Sequence, residues 1–302
     1  MNISGKRLIF VTGKGGVGKS LCAAALAWSE AKKGKKVCLV ELGYQSFYES
    51  FFETRGIGYE PSEIVSDVHI ALFNAENCLK EYALHFLRVP KLYDLLFQNK
   101  VVKAFMNAAP AVAELSILGK LTSEIRGIFK TEYDLYVVDC YSTGHALALL
   151  RAPAGMNALI RVGPLAEQAR DISEVISNPK ETHFVLVTLP EEMPVTETEE
   201  LYTQLRGEFN AEISLVCNKL ICPPLSSLEQ SELAGKINDK NMAEFLEFVR
   251  YKASTQERQW KRLLALQPEI FGMPLILHAQ RGQQYVEEFS SYLDRRWILT
   301  NS

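Results

Sequence analysis

An α/β fold with a mainly parallel, twisted sheet flanked by helices is predicted by two features of the sequence. Short β-rich apolar runs alternate with longer stretches of helical periodicity, the order a parallel sheet needs because each crossover must bring the chain back to the same end. The first run also leads through a glycine-rich turn into an alanine-rich segment, a strand–loop–helix unit at the start of the chain. With 47% hydrophobic residues among 302, a large core can be buried, and no run approaches the roughly 18 consecutive apolar residues of a membrane span.

The runs with strand character are Leu8–Thr12, Lys36–Leu42, Val68–Phe73, Asp134–Cys140, His183–Leu189, Ile213–Asn218 and Met273–His278. Between the third and fourth lies a segment, residues 76–130, with apolar residues at helical spacing: Leu92, Leu95, Leu96, Val102, Phe105 and Met106, then Leu115, Leu118, Leu121, Ile125 and Phe129. Pro90 and Pro110 divide it into at least three helices. The expected organisation is a single domain over 1–302 with residues 76–130 as a helical insertion, because no Pro/Gly/Ser linker separates the two. The insertion reads either as ordinary core packing or as a groove for an apolar client.

Composition narrows the partners. Lys and Arg (33) nearly balance Asp and Glu (36), without the basic excess that marks a nucleic-acid binder. The start, Met1 to Arg7, runs straight into a strand, so no signal peptide is expected. The six cysteines, Cys22, Cys38, Cys78, Cys140, Cys217 and Cys222, form no CxxC pair, so reduced thiols in a cytoplasm are the expectation.

The chemistry begins at Gly13-Lys14-Gly15-Gly16-Val17-Gly18-Lys19-Ser20, which fits G-x-x-x-x-G-K-[ST] between a strand and a helix. Glycines let such a loop curl so that its backbone N–H groups face phosphate oxygens, and the helix behind adds the positive end of its dipole. Lys19 is expected to neutralise β- and γ-phosphate charge and the Ser20 hydroxyl to ligate Mg²⁺. The chain is thereby expected to be a P-loop NTPase that binds a nucleotide with Mg²⁺. The run Tyr133–Asp139 is an apolar strand closing on Asp139, which delivers a carboxylate beside the phosphates as a second Mg²⁺ ligand.

Lys14, directly after the first glycine, resembles the deviant phosphate loop of the ArsA, MinD, ParA and nitrogenase-iron-protein group. In that group the extra lysine reaches across a two-fold dimer to the partner's nucleotide. The run Asp139-Cys140-Tyr141-Ser142-Thr143-Gly144-His145 resembles the second switch of the ArsA and tail-anchored-protein-targeting ATPases, with Cys140 and Ser142 departing from it. Asn218, in Val216-Cys217-Asn218-Lys219, matches that family's adenine-reading amide. Pro274 and Leu275, in Met273-Pro274-Leu275, match the segment that lies over the base, with Gln280 one place off its pattern. The resemblance implies a nucleotide-gated homodimer, or a heterodimer with a paralogue, that acts on a client protein. With no long apolar run and only a short tail, Tyr292–Leu299, stable membrane insertion is not expected.

The departures matter as much. The resemblance places a water-positioning Asp at the end of the second strand, where this chain has Gly43. A glycine cannot orient water, so turnover is expected to slow by orders of magnitude while binding survives. Glu41, two residues earlier on the same strand face, is either a substitute catalytic carboxylate or a supporting one behind the phosphate lysine. The chain also lacks the zinc CxxC of the eukaryotic targeting ATPases, and no three cysteines can be brought together from sequence to hold arsenite. An enzyme that drives a client and a poorly hydrolysing, nucleotide-gated regulatory subunit are therefore both open readings.

Overall fold

The computed structural model describes residues 1, 3–65, 67–87, 110–221, 240–267, 269–276 and 282–293. Among them, β1 (Leu8–Gly13), β2 (Val37–Leu42), β3 (Ser62–Val65), β4 (Val68–Phe73), β5 (Leu135–Ser142), β6 (Thr182–Thr188), β7 (Ile213–Leu220) and β8 (Ile270–Pro274) form one sheet. Its order is β3-β4-β2-β5-β1-β6-β7-β8. Every neighbouring pair is parallel except β3 with β4. The central position of β1, flanked by β5 and β6, sets the glycine-rich turn in the middle of the carboxyl edge, where α/β sheets bind ligands.

The helices are α1 (Lys19–Lys32), α2 (Phe47–Phe51), α3 (Ala75–Leu87), α4 (Pro110–Ser123), α5 (Thr143–Leu159), α6 (Pro164–Ser177), α7 (Glu192–Phe209), α8 (Lys240–Leu266) and α9 (Gly282–Leu293). They cover both faces, and the alternation of strand side chains divides the core accordingly. Leu8, Phe10, Val40, Phe73, Val138, Phe184 and Leu186 point one way, onto Leu118 and Leu121 of α4, Leu149 of α5, Ile172 of α6 and Leu201 and Leu205 of α7. Ile9, Val11, Leu39, Ile70, Val137, Val185 and Val187 point the other way, onto Ala23, Ala27 and Trp28 of α1 and Val286, Phe289 and Leu293 of α9. The small residues Ala23, Ala24, Ala25 and Ala27 let α1 lie close on the sheet, which brings its amino end down to the carboxyl edge.

Several strands differ from the sequence reading, by one residue in β1, β2 and β6 and by two at the end of β7. β3 was not anticipated: Ser62–Val65 is a four-residue, half-exposed edge strand with no apolar run to mark it. β5 continues past Asp139 to Ser142, so the carboxylate stands inside the strand rather than closing it. β8 begins at Ile270 and stops at Pro274, earlier than Met273–His278 suggests, and its pairing with β7 is already irregular between Cys217 and Leu220. Of the 76–130 segment, α3 and α4 are described, and the intervening apolar positions Leu92 to Met106 lie outside the described residues, as do Cys222, His278 and Gln280. No helix among the described residues is long and apolar enough to cross a membrane.

Candidate functional site

The predicted phosphate loop occupies the turn from β1 to α1. Gly18 is the residue before the first helical turn and has φ +96°, a left-handed conformation suited to glycine. A Cβ there would also run into the Asn218 amide. That amide is buried beneath the loop: its Nδ2 donates to the Val17 carbonyl at 2.8 Å and its Oδ1 accepts from the Lys219 N–H at 2.7 Å. Asn218 thus ties the loop to the end of β7, a duty not visible in the sequence.

Lys19 is half-buried, and its Nζ donates to the Lys14 carbonyl at 3.0 Å. Burial lowers its pKa, and the Asp139 carboxylate pulls the other way. Lys14 points in another direction. Its ammonium forms an ion pair with Glu197 of α7, whose second oxygen stands 3.4 Å from the Thr143 hydroxyl at the start of α5.

Asp139 and Glu41 are register partners on adjacent parallel strands, so both carboxylates project from the α1 face of the sheet. Asp139 is buried, and desolvation pushes its pKa up to about 6. Hydrogen bonds from Ser20 and Tyr48 and the charge of Lys19 only partly offset that effect. Ser20 and Asp139 therefore meet as a hydroxyl and a carboxylate, hard oxygen donors of the kind a small divalent cation takes. No cluster of three or more His, Cys, Asp or Glu placed to hold a metal occurs among the described residues. A cation here would complete its shell with ligand oxygens and water.

Glu41 is engaged locally. Its carboxylate accepts from the Ser46 hydroxyl at 2.6 Å and the Phe47 N–H at 2.7 Å, capping the start of α2. Burial raises its pKa while these hydrogen bonds oppose the rise. Gly43 follows β2 with its N–H on the Phe73 carbonyl at 2.9 Å and φ +152°. Pro274 ends β8 opposite Leu220, and the Leu275 N–H donates to the Leu220 carbonyl at 2.8 Å, one strand beyond Asn218. Two residues with no motif to announce them, Tyr48 and Glu197, prove to touch the candidate site residues directly.

The carboxyl edge thus gathers Lys19, Ser20, Asp139, Glu41 and Asn218 from the loop and three further strands. A family model described as anion-transporting ATPase matches residues 6–168 and 162–293. ATPase BagA of Mycobacterium tuberculosis is 30% identical over 211 residues, which is 67% of this chain and 62% of that protein. A Plasmodium yoelii yoelii protein named as an ATPase ASNA1 homolog is 24% identical over 335 residues, 94% of this chain and 86% of its own length. A Halobacterium salinarum protein that carries the name of an arsenical pump-driving ATPase is 29% identical over 234 residues, 72% of this chain. The chain covers 36% of the Halobacterium protein and 62% of BagA, less than two thirds of each. On these matches the chain belongs to the anion-transporting ATPase family, ArsA, a family of nucleotide-binding ATPases.

Proposed function

We propose that this chain binds Mg²⁺-ATP in the loop Gly13–Ser20 and uses nucleotide-dependent closure of a dimer to drive a client or partner protein. The observation that carries this reading is the convergence of Lys19, Ser20 and Asp139 at the amino end of α1. The backbone N–H groups of Gly15, Gly16, Val17 and Gly18 surround the phosphates, and Lys19 carries the compensating positive charge. Ser20 and Asp139 would hold Mg²⁺, which would supply positive charge to offset the charge on the phosphates. Asn218, Pro274 and Leu275 line the adenine end. Residues 1–302 act as one ATPase domain, with 76–130 as the helical part that responds to the nucleotide.

In hydrolysis a water oxygen bonds to the γ-phosphorus, the bond to the β–γ bridging oxygen breaks, and the water proton leaves to a base or to the phosphate itself. Lys19 stabilises the charge on the departing oxygen, and Lys14 of a partner copy adds a second positive charge to the phosphates. Glu41 is the candidate for orienting the water. About half of its lone-pair sites are already committed to the Ser46 hydroxyl and the Phe47 N–H.

That commitment of Glu41, together with Gly43, favours a second reading: a nucleotide-gated regulatory subunit that hydrolyses ATP poorly and pairs with an active paralogue. The two separate in one experiment. ATP binding and turnover are measured on the purified protein, with Lys19→Ala as the blank and size-exclusion chromatography reporting assembly. Binding with turnover that depends on Lys19 supports the driving ATPase. Binding with turnover no faster than the blank supports the regulatory subunit. No binding at all overturns both.

A further inference from the structure

Tyr48 lies in the segment after β2 that the sequence marks only by the missing carboxylate at Gly43. The turn from β2 is drawn inward by Glu41, which accepts from Ser46 and Phe47, and by the Ser46 hydroxyl, which accepts the Tyr48 N–H at 3.1 Å. α2 then turns the Tyr48 side chain away from solvent, and its ring is fully buried at 0% exposure. Phe52 stacks on that ring, and Phe47 and Phe51 meet it edge-on. A phenol buried among aromatics needs a partner for its hydroxyl.

The hydroxyl has two acceptors in reach, the Ser20 carbonyl at 2.8 Å and the Asp139 Oδ2 at 3.2 Å. These belong to the two residues assigned above to Mg²⁺, and they come from α1 and β5, while Tyr48 comes from α2. With one proton to donate, the phenol holds either the backbone of one ligand residue or the carboxylate of the other, and it stands between them in both cases.

We propose that Tyr48 is a positioning residue for the cation site, fixing the Asp139 carboxylate and the Ser20 backbone so that Asp139 Oδ1 and the Ser20 hydroxyl are left to face Mg²⁺. Outer groups that orient metal ligands typically govern affinity by about tenfold or more. The inference deepens the proposed function and rests on its assignment of Ser20 and Asp139. It gives the segment after β2 a role in this chain that does not depend on a carboxylate at position 43.

The test is Tyr48→Phe, which keeps the ring in its aromatic pocket and removes only the hydroxyl. Binding of a fluorescent ATP analogue is titrated with Mg²⁺ for the wild type and the variant, alongside binding in EDTA and the melting temperature without metal. The expected result is a rise of about tenfold in the Mg²⁺ concentration at half-saturation, with EDTA binding and melting temperature unchanged. An unchanged Mg²⁺ requirement overturns the proposal. So does a variant that misfolds or melts earlier in the absence of metal, since the hydroxyl would then serve the fold itself. A wild type that binds no nucleotide overturns the functional reading on which the proposal stands. A wild type that binds nucleotide equally with and without Mg²⁺ overturns the proposal alone.

Discussion

Glu197 holds Lys14 inside its own chain: the ammonium that follows the first loop glycine is paired with a carboxylate of α7, and the same carboxylate approaches the Thr143 hydroxyl. Both partners are about one-third exposed, at 32% and 30%, so the pair is worth only about 1 kcal/mol or less. That is small enough for a nucleotide phosphate to displace.

If Lys14 crosses to a partner's nucleotide, Glu197→Gln removes its competitor at home. Nucleotide-dependent dimers should then form at a protein concentration a few-fold lower, about the factor that 1 kcal/mol or less allows. Sedimentation in the presence of a non-hydrolysable ATP analogue measures this. Lys14→Ala should abolish the same dimer.

Gly43→Asp restores the carboxylate that the family resemblance places at the end of β2, but the backbone resists it. Nothing lies within 4 Å of a Cβ built at Gly43, so space is available. At φ +152°, however, an aspartate is strained, at a cost of about 1–3 kcal/mol. The variant should therefore melt several degrees lower than the parent whether or not ATP turnover rises. A variant with an unchanged melting temperature would show that the segment relaxes around the new side chain.

Asp139 should weaken the metal-free fold at neutral pH. Its pKa rises from the unfolded range to about 6 because burial penalises the charged form. A carboxyl with a raised folded pKa favours folding when protonated, so its contribution is fully present below about pH 4 and is lost as pH climbs through 6. Asp139→Asn, neutral throughout, should stabilise the metal-free protein at pH 7 by about 2–3 kcal/mol. That advantage should disappear as pH falls from 6 to 4. His183, buried against Ser214 with its pKa lowered to about 4, acts in the opposite sense. Its neutral form is the one the fold accepts, so stability is lost as pH falls from about 6.5 toward 4. The difference between wild type and Asp139→Asn in urea unfolding cancels the histidine and isolates the aspartate. The same variant should lose stabilisation by Mg²⁺.

Much of the sheet was legible because its strands are buried on both faces. Leu8–Val11 and Ile213–Cys217 are near-continuous apolar runs, which fixes their character without knowledge of any neighbour. β3 escaped notice because Ser62, Glu63, Ile64 and Val65 pair with β4 at an edge and are not forced to be apolar. At β8 the apolar Leu275 and Ile276 suggest a longer strand, but the pairing with β7 shifts register between Cys217 and Leu220 and regular strand geometry stops at Pro274.

The candidate site divides in the same way. Lys19, Ser20 and Asp139 were readable because chemistry constrains both their type and their spacing. Glu197 and Tyr48 were not, since each is set in place by packing. Glu197 stands on a helix that also carries Glu192, Glu199 and Glu200, and nothing in that series distinguishes the residue that reaches Lys14. Tyr48 reaches Asp139 across 91 positions of sequence, a meeting that only the assembled sheet determines.

That dependence on assembly bears on how the chain matures. The loop after β1 is braced by Asn218, 201 positions further on, and faces Asp139 from a strand formed midway between them in sequence. No stretch emerging early from a ribosome holds the binding apparatus complete. A nucleotide that requires all three parts will therefore pass over chains synthesised only as far as β6, making ligand capture a sign that β7 has joined the sheet.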